Sequence, residues 1–177
     1  LFWVDDGTRS IAYFCKNRPI FVDHRLIGDL KEVANSQGNN KNVRLCLHES
    51  PDDAFHEMII LERKQGYYRP HKHSSKGESY HIIEGRMAAF VFDEDGMVTE
   101  SYLLDDNNPC IYRIDKNIFH SIMPLTEWVI YHEAKPGPFL GEGDSIFAKW
   151  APDGTDESKC KEYSAELRKS IEPFEKE

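Results

Sequence analysis

Two histidines and a glutamate between residues 71 and 78 have the types and spacing to do chemistry. His71 and His73 are separated by one residue, and Glu78 follows five residues after His73. Alternate side chains of a β-strand share a face, so the two imidazoles are expected to point the same way. Residues 74–77 favour a tight turn, after which an antiparallel strand presents Glu78 opposite the pair. These three ligands suit iron(II), manganese, nickel, cobalt or zinc and leave coordination positions open.

The residues around this trio strengthen the prediction of a metal site. Pro70 precedes the histidine pair, and Gly66 and Gly85 flank the whole stretch. This arrangement resembles the first motif of the cupin superfamily, which runs glycine, a spacer, His-x-His, three or four residues, glutamate, six residues and glycine. The spacer after Gly66 has four residues here, where the usual pattern has five.

A second cupin motif, Pro-x-Gly-x-x-His, corresponds to residues 115–120. Asp115 stands where the proline would be, and Asn117 stands where the glycine would be. The resemblance implies that His120 is the fourth metal ligand. Asparagine adopts the left-handed conformation more readily than most residues, so Asn117 is expected to preserve the turn.

Four further segments narrow the resemblance to the WbuC family of cupin-fold metalloproteins. They are residues 47–53, 68–73, 133–138 and 147–152, and the likeness extends over about residues 43–153. The resemblance implies one divalent transition metal and a homodimer. Members of that family often belong with surface-polysaccharide or nucleotide-sugar genes, and the family has no settled reaction.

Length and composition agree with one compact, soluble unit. The chain has 177 residues, 40% of them hydrophobic and 12% aromatic, which is enough for a single buried core. A formal net charge of −9 and the absence of a basic stripe argue against nucleic acid as a partner. The longest apolar stretches fall far short of the roughly 20 residues that a membrane helix needs. The four cysteines are scattered, as in reduced structural thiols, and a cytoplasmic location is expected.

Hydrophobic periodicity and turn signals predict an all-β antiparallel sandwich or barrel with an N-terminal and a C-terminal helix, and the cupin resemblance implies a single-domain β-sandwich of the jelly-roll type. An Asp cap and helical spacing predict a helix over 23–38, and a charge-rich tail predicts another over 158–171. The expected organisation is an extension over 1–42, a barrel over 43–153 and a tail over 154–177. The strand 8–14 is expected to exchange between two copies in a homodimer. The remaining β segments are expected at 43–48, 54–63, 67–73, 78–83, 86–92, 97–104, 110–114, 118–123 and 127–134.

Strand alternation also nominates core and substrate residues. Arg69 shares a face with the histidine pair and is a candidate anion-binding residue, and Tyr80 shares a face with Glu78. Tyr131 and Glu133 lie on one face of the strand after His120 and are candidate acid/base groups if that face is internal. If the other face is internal, it presents residues 128, 130 and 132 instead. Alternating apolar residues are expected to fill the barrel core: Ile59, Leu61, Ile82, Phe90, Phe92, Ile122 and Ile130.

Three functions are compatible with this site. The first is isomerisation or epimerisation of a sugar or nucleotide-sugar, in which a metal polarises a carbonyl and Glu133 or Tyr131 moves a proton. The second is oxygen activation by an iron(II)-dependent dioxygenase, which the same ligand set permits. The third is a non-catalytic, metal-dependent sugar-binding or regulatory module.

Overall fold

The computed structural model describes residues 2–6, 10–16, 18–36, 42–64, 66–108 and 110–171. In these ranges the chain forms one mixed sheet of ten strands with a helix near each end. The two helices are α1 (His24–Ser36) and α2 (Glu157–Lys169). The strands are β1 (Phe2–Asp6), β2 (Ser10–Cys15), β3 (Asn42–Cys46), β4 (Phe55–Arg63), β5 (His71–Lys72), β6 (Glu78–Phe92), β7 (Val98–Asp105), β8 (Ile111–Ile114), β9 (Phe119–Pro136) and β10 (Ile146–Phe147).

The long strands β6 and β9 are the centre of the sheet. β9 pairs antiparallel with β4, β5 and β6, and β6 also pairs with β7 and β8. From β4 the sheet continues through β3 to β2 and β1. The predicted all-β architecture with two flanking helices is therefore confirmed. The strand predicted over 67–73 is shorter than expected, because only His71–Lys72 has ladder pairing.

The N-terminal strand lies in its own chain's sheet. β2 pairs parallel with β3 and antiparallel with β1, so both of its edges are occupied within one chain. The predicted exchange segment 8–14 thus corresponds to a strand that starts at Ser10, and residues 8 and 9 lie outside the described residues. Exchange of this strand between copies stays a prediction.

Each helix covers one outer part of the sheet. Asp23 accepts backbone hydrogen bonds from Arg25 and Leu26, which caps α1. α1 then buries an apolar face on the outside of β3 and β4. α2 is capped by Asp156 and packs Leu167 on β6. The predicted core residues divide accordingly: Ile82 and Ile122 face the interior, whereas Ile59, Leu61 and Ile130 lie beneath α1, and Phe90 and Phe92 belong to the cluster beneath α2.

A break in alternation allows both long strands to contribute to one interior. In β6, Tyr80 and Ile82 face inward, but so does Met87, which strict alternation would turn outward. The ladder with β9 shifts register between Ile82 and Glu84 and again between Gly85 and Met87. At the second shift Gly85 has a φ of 86°, and an added Cβ would lie 2.3 Å from a backbone oxygen of β9. Glycine is therefore required at this bulge, which we call the phase bulge.

Candidate metal centre

The structure brings His71, His73, Glu78 and His120 together inside the sandwich. One ligand atom from each residue lies within 4.8 Å of the others. His71 is on β5 directly opposite His120 on β9, and Glu78 opens β6. His73, Glu78 and His120 are each no more than 3% exposed. Four convergent imidazole and carboxylate ligands in a buried space are a donor set that divalent transition metals accept.

The backbone orients all three imidazoles in the same way. Nδ1 lies 3.1 Å from the Arg69 carbonyl in His71 and 2.9 Å from the Ile118 carbonyl in His120. In His73 the corresponding distance to the Asp144 carbonyl is 2.5 Å. A carbonyl only accepts hydrogen bonds, so each Nδ1 donates its proton to the backbone and each Nε2 is turned toward Glu78, where its neutral form offers a lone pair to an ion. The three Nε2 atoms thus converge on one point beside the Glu78 carboxylate, and the Nε2 of His73 makes no well-aligned hydrogen bond to a described residue, although Glu78 Oε2 lies 3.3 Å away.

The turn before His120 has the backbone that the sequence predicts. Asn117 has a φ of 64°, in the left-handed region. Its backbone nitrogen donates to the His73 carbonyl at 2.7 Å, which ties the turn to the histidine pair. Asn117 therefore takes the place that glycine has in the motif it resembles, and His120 is presented as expected.

The Glu78 carboxylate is fully engaged by surrounding groups. Oε1 lies 2.8 Å from His120 Nε2 and accepts the hydroxyl of Tyr80, while Oε2 lies 3.3 Å from His73 Nε2. The Nζ atom of Lys135 is 3.4 Å from Oε2. Burial alone would raise the pKa of Glu78, but Lys135 and the two histidines outweigh it and hold the pKa well below its usual range. Glu78 is thus ionised at neutral pH and is the anionic member of the candidate donor set.

The pKa values of the histidines depend on the same two effects, burial and the charges and hydrogen bonds of neighbouring groups. Burial, with His120 as a neighbour, lowers the pKa of His71 to about 4, so this ligand is neutral at physiological pH. Burial also acts to lower the pKa of His73, but Glu78 and the Asp144 carbonyl outweigh it and the pKa is raised. A coordinated ion requires the neutral form of each imidazole.

Residues 137–147, which we call the cover segment, hold His73 from the outside. Asp144 sits in a short 3₁₀ helix, Gly141–Asp144, and its carbonyl accepts the His73 hydrogen bond. Its carboxylate pairs with Lys76, whose Nζ also donates to the Pro138 carbonyl at 3.0 Å. Both charged side chains are at most 5% exposed. The cover segment and the turn before β6 are therefore joined by a buried ion pair.

The candidate acid/base residues line the interior beside the ligands. Glu133 is opposite Tyr80 in the β6–β9 ladder, and Tyr131 is opposite Ile82. Both are buried. Glu133 Oε1 lies 2.6 Å from the Nζ of Lys135, so that lysine connects Glu133 to the ligand Glu78. Burial, with Glu62 and Glu133 nearby, holds the pKa of Tyr131 well above 10, so its hydroxyl stays protonated at neutral pH and donates.

The two candidate substrate residues have different surroundings. Tyr80 is buried and donates to Glu78, so its hydroxyl orients a metal ligand. The Nε and Nη2 atoms of Arg69 donate to the Ala148 carbonyl at 3.2 and 2.7 Å. The Arg69 guanidinium lies 5.4 Å from the ring centre of Phe147, which is 43% exposed and close to His71. Arg69 is therefore at the outer edge of the site, with the donors on Nη1 uncommitted to Ala148.

Three residues of the site were not anticipated from the sequence: Lys76, Lys135 and Asp144. Lys135 could have been found, because it alternates with Glu133 and shares its face. Asp144 lies far from the histidine pair along the chain, and its carbonyl makes the decisive bond to His73, so no side-chain pattern signals it. Two surface clefts of about 470 and 460 Å³ lie elsewhere, one beside α1 and one along β7, and neither contains a ligand residue.

Comparison with known proteins agrees with the fold. A family model described as a domain of unknown function (DUF6016) matches residues 22–104. No curated protein matches the sequence. No helix among the described residues has the length and apolarity to cross a bilayer.

Solved structures with low sequence identity share the architecture. CapF bound to the inhibitor 3-isopropenyl-tropolone is 12% identical, with a TM-score of 0.53, over 83% of this chain and 34% of that one. A capsular polysaccharide assembling protein, CapF from Staphylococcus aureus, is 15% identical, with a TM-score of 0.50, over 59% of this chain and 29% of that one. L-ribose isomerase from Cellulomonas parahominis has a TM-score of 0.49 at 15% identity, over 61% of this chain and 69% of that one. This chain has the cupin fold and spans about a third of the length of the CapF chains.

Proposed function

We propose that this protein binds one divalent transition metal through His71, His73, Glu78 and His120 and isomerises or epimerises a small, sugar-derived substrate. The observation that carries the proposal is the common orientation of the three imidazoles. Each Nδ1 is committed to a backbone carbonyl, so each Nε2 is left for an ion that Glu78 also reaches. A metal held here would act as a Lewis acid on a substrate oxygen.

The neighbouring residues supply proton transfer. Glu133 is the candidate base, because it is buried on the interior face and its partner Lys135 contacts Glu78. Tyr131 stays protonated and supplies a hydrogen-bond donor to substrate oxygen. Arg69 is the candidate anion-binding residue at the outer edge. A carboxylate base next to an oxygen-binding metal is the arrangement needed to move a proton between neighbouring sugar carbons.

The comparisons are consistent with sugar chemistry. The name of the Staphylococcus aureus protein refers to capsular polysaccharide, and the part of it that this chain matches has a similar fold. The WbuC-like segments of the sequence point to the same area of metabolism. The substrate class in the proposal rests on these likenesses, whereas the metal site rests on the geometry.

The test combines metal analysis with exchange at substrate carbon. The purified protein should contain close to one equivalent of metal, and His120→Ala should lose it while remaining folded. Nucleotide sugars in D₂O should then show deuterium incorporation at a sugar carbon by NMR. Glu133→Gln should lower the maximal rate by about 10²- to 10⁴-fold, and Arg69→Ala should raise the half-saturation concentration about tenfold or more, as loss of a charged hydrogen bond predicts.

Glu166→Gln is the matched control, because Glu166 lies on the exposed surface of α2. It should leave metal content and exchange unchanged. Unchanged metal content in His120→Ala would refute the ligand set. Oxygen uptake by the iron(II) form would favour a dioxygenase instead, and tight sugar binding without either reaction would favour a non-catalytic module.

A further inference from the structure

The interior contains a second set of charged groups beyond the metal ligands. Arg44 on β3 lies opposite Ile60 of β4, which in turn lies opposite Tyr131 of β9. Cross-strand partners have side chains on the same face, so the Arg44 side chain enters the same interior as Tyr131. Glu62 follows Ile60 by two residues and shares that face. The proposed metal function uses neither Arg44 nor Glu62.

These groups interact with one another through the sandwich. Burial alone would lower the pKa of Arg44, but Glu133, Tyr131 and Glu62 raise it, so the guanidinium is charged. Tyr131 also interacts with the Glu62 carboxyl group. Arg44 is thus within electrostatic range of Glu133, which pairs with Lys135, and Lys135 in turn contacts Glu78.

Several polar atoms of this interior have no partner among the described residues. They include Arg44 Nε, Glu62 Oε2 and His73 Nε2, all buried. Buried polar groups in folded proteins are almost always hydrogen-bonded, so unpartnered ones indicate a bound water, ion or ligand. His73 Nε2 is accounted for by the proposed metal. The Arg44 donor and the Glu62 oxygen call for a different occupant, with both acceptor and hydroxyl groups.

The charges of the interior determine which chemical class of occupant fits there. Arg44 and Lys135 are positive and Glu78 and Glu133 negative, so these four charges cancel. Burial raises the pKa of Glu62 to about 8, so Glu62 adds no full charge at neutral pH. A divalent ion held by Glu78 and neutral imidazoles adds two positive charges, so the ion and these four side chains together carry an excess of positive charge. Uncompensated charge in a buried space is costly, so the metal-loaded interior is complementary to an anion.

We propose that Arg44 and Lys135 bind the acidic group of a small hydroxy acid, such as a sugar acid, whose hydroxyl oxygens reach the metal. This inference rests on the proposed metal function and specifies its substrate class. The Nε–H donor of Arg44 has no partner within the part of the interior that the structure describes, and the planar fork of N–H donors that a guanidinium carries has the geometry to match the two oxygens of a carboxylate. The Tyr131 hydroxyl donates to Glu62, and the protonated Glu62 has its own O–H to donate to a neighbouring oxygen of the ligand. A neutral sugar of the same shape leaves the surplus positive charge unbalanced.

The experiment compares matched acid and neutral probes on metal-loaded and metal-free protein. Isothermal titration with D-gluconate and D-glucuronate, against D-glucose, measures binding without any assay of turnover. We expect both acids to bind the metal-loaded protein at least tenfold more tightly than D-glucose, and to bind the metal-free protein at least tenfold more weakly. By linkage, the acids should raise the affinity for the metal by the same factor.

Variants identify the residue responsible. Arg44→Met should bind the acids at least tenfold more weakly while keeping one equivalent of metal. Arg44→Lys should lose less acid affinity, because lysine keeps the positive charge but lacks the paired N–H donors of a guanidinium. Arg113→Met is the control, since the Arg113 side chain is 59% exposed and pairs with Asp115 at the surface. A normal metal content shows that each variant is folded.

Two failures are distinguishable. Protein that binds no metal contradicts the proposed function itself. Protein that binds metal normally but binds the acids no better than D-glucose, or equally well in Arg44→Met, overturns the acid-binding inference and leaves the metal proposal standing.

Discussion

Removing the charge of Lys76 should destabilise the protein far more than removing an exposed lysine. The Lys76 and Asp144 side chains are 4% and 5% exposed, so neither charge has water to replace its partner. In Lys76→Met the Asp144 carboxylate would keep the backbone N–H of Leu140, at 3.2 Å, and the more distant His73 Nδ1, at 3.7 Å, but no cationic partner in contact among the described residues. Leaving one member of a buried ion pair uncompensated costs about 3–5 kcal/mol. For a domain of this size that corresponds to a melting temperature lower by about 6–20 °C.

Urea unfolding followed by circular dichroism measures this loss, and metal titration measures its effect on the site. Because Asp144 also fixes His73 through its carbonyl, Lys76→Met should lower metal affinity by about 10- to 100-fold, as loss of an outer partner of a metal ligand does. Replacing both partners, in Lys76→Met with Asp144→Leu, should recover part of the stability, because no charge is then left buried.

Lys161→Met is the matched control. Lys161 pairs with Glu157 at 2.6 Å on α2, but the two side chains are 75% and 83% exposed. Exposed pairs of this kind contribute about 0–1 kcal/mol. Equal unfolding midpoints for the two lysine variants would show that burial of the Lys76 pair does not determine its contribution.

Two other measurements test the interior. Metal at about 100 times its dissociation constant should add about 2.7 kcal/mol to the free energy of unfolding, and the chelated protein should keep its β-sheet circular dichroism; a disordered chelated chain would mean that the metal holds the fold together. Burial raises the pKa of Glu62 to about 8 from about 4.3 in the unfolded chain. The folded state therefore binds the Glu62 proton more tightly, and proton binding stabilises the fold. This contribution to the free energy of unfolding is fully present below about pH 4.3 and is lost as the pH rises to about 8. Glu62→Gln should flatten that part of the stability–pH curve in urea unfolding, and an unchanged slope would contradict the raised pKa.

The sequence predicted the fold and the convergence of four side chains, three from a local pattern and His120 from the cupin resemblance. Histidines one residue apart, a turn and a glutamate determine where three ligands point once they lie on paired strands. The left-handed conformation of Asn117 was predicted from the backbone preference of asparagine, and its φ of 64° in the structure confirms it. The homodimer, the cytoplasmic location and the domain boundaries stay predictions.

Other features depend on tertiary contacts that alternation does not encode. Ile59 and Leu61 have the pattern of core residues, and they are buried, but beneath α1 and outside the barrel interior. Alternation cannot tell a face covered by a helix from a face turned inward, because both are apolar. The pairing of Asp144 with Lys76 joins residues 68 positions apart and has no sequence signal at all.

The phase bulge has a consequence for how the length of this chain can vary. His120 and Glu133 are separated by an odd number of positions, so an unbroken strand would place them on opposite faces. They share the interior because the strands pair unequally at the phase bulge. The stretch of β9 from Pro124 to Val129 lies opposite the shorter stretch of β6 from Gly85 to Met87, which reverses the alternation of faces along β9. A single inserted or deleted residue in that stretch would turn either the His120 or the Glu133 side chain outward, whereas a change of two residues would preserve both orientations. Homologous chains that keep both groups should therefore differ in length here only by even numbers.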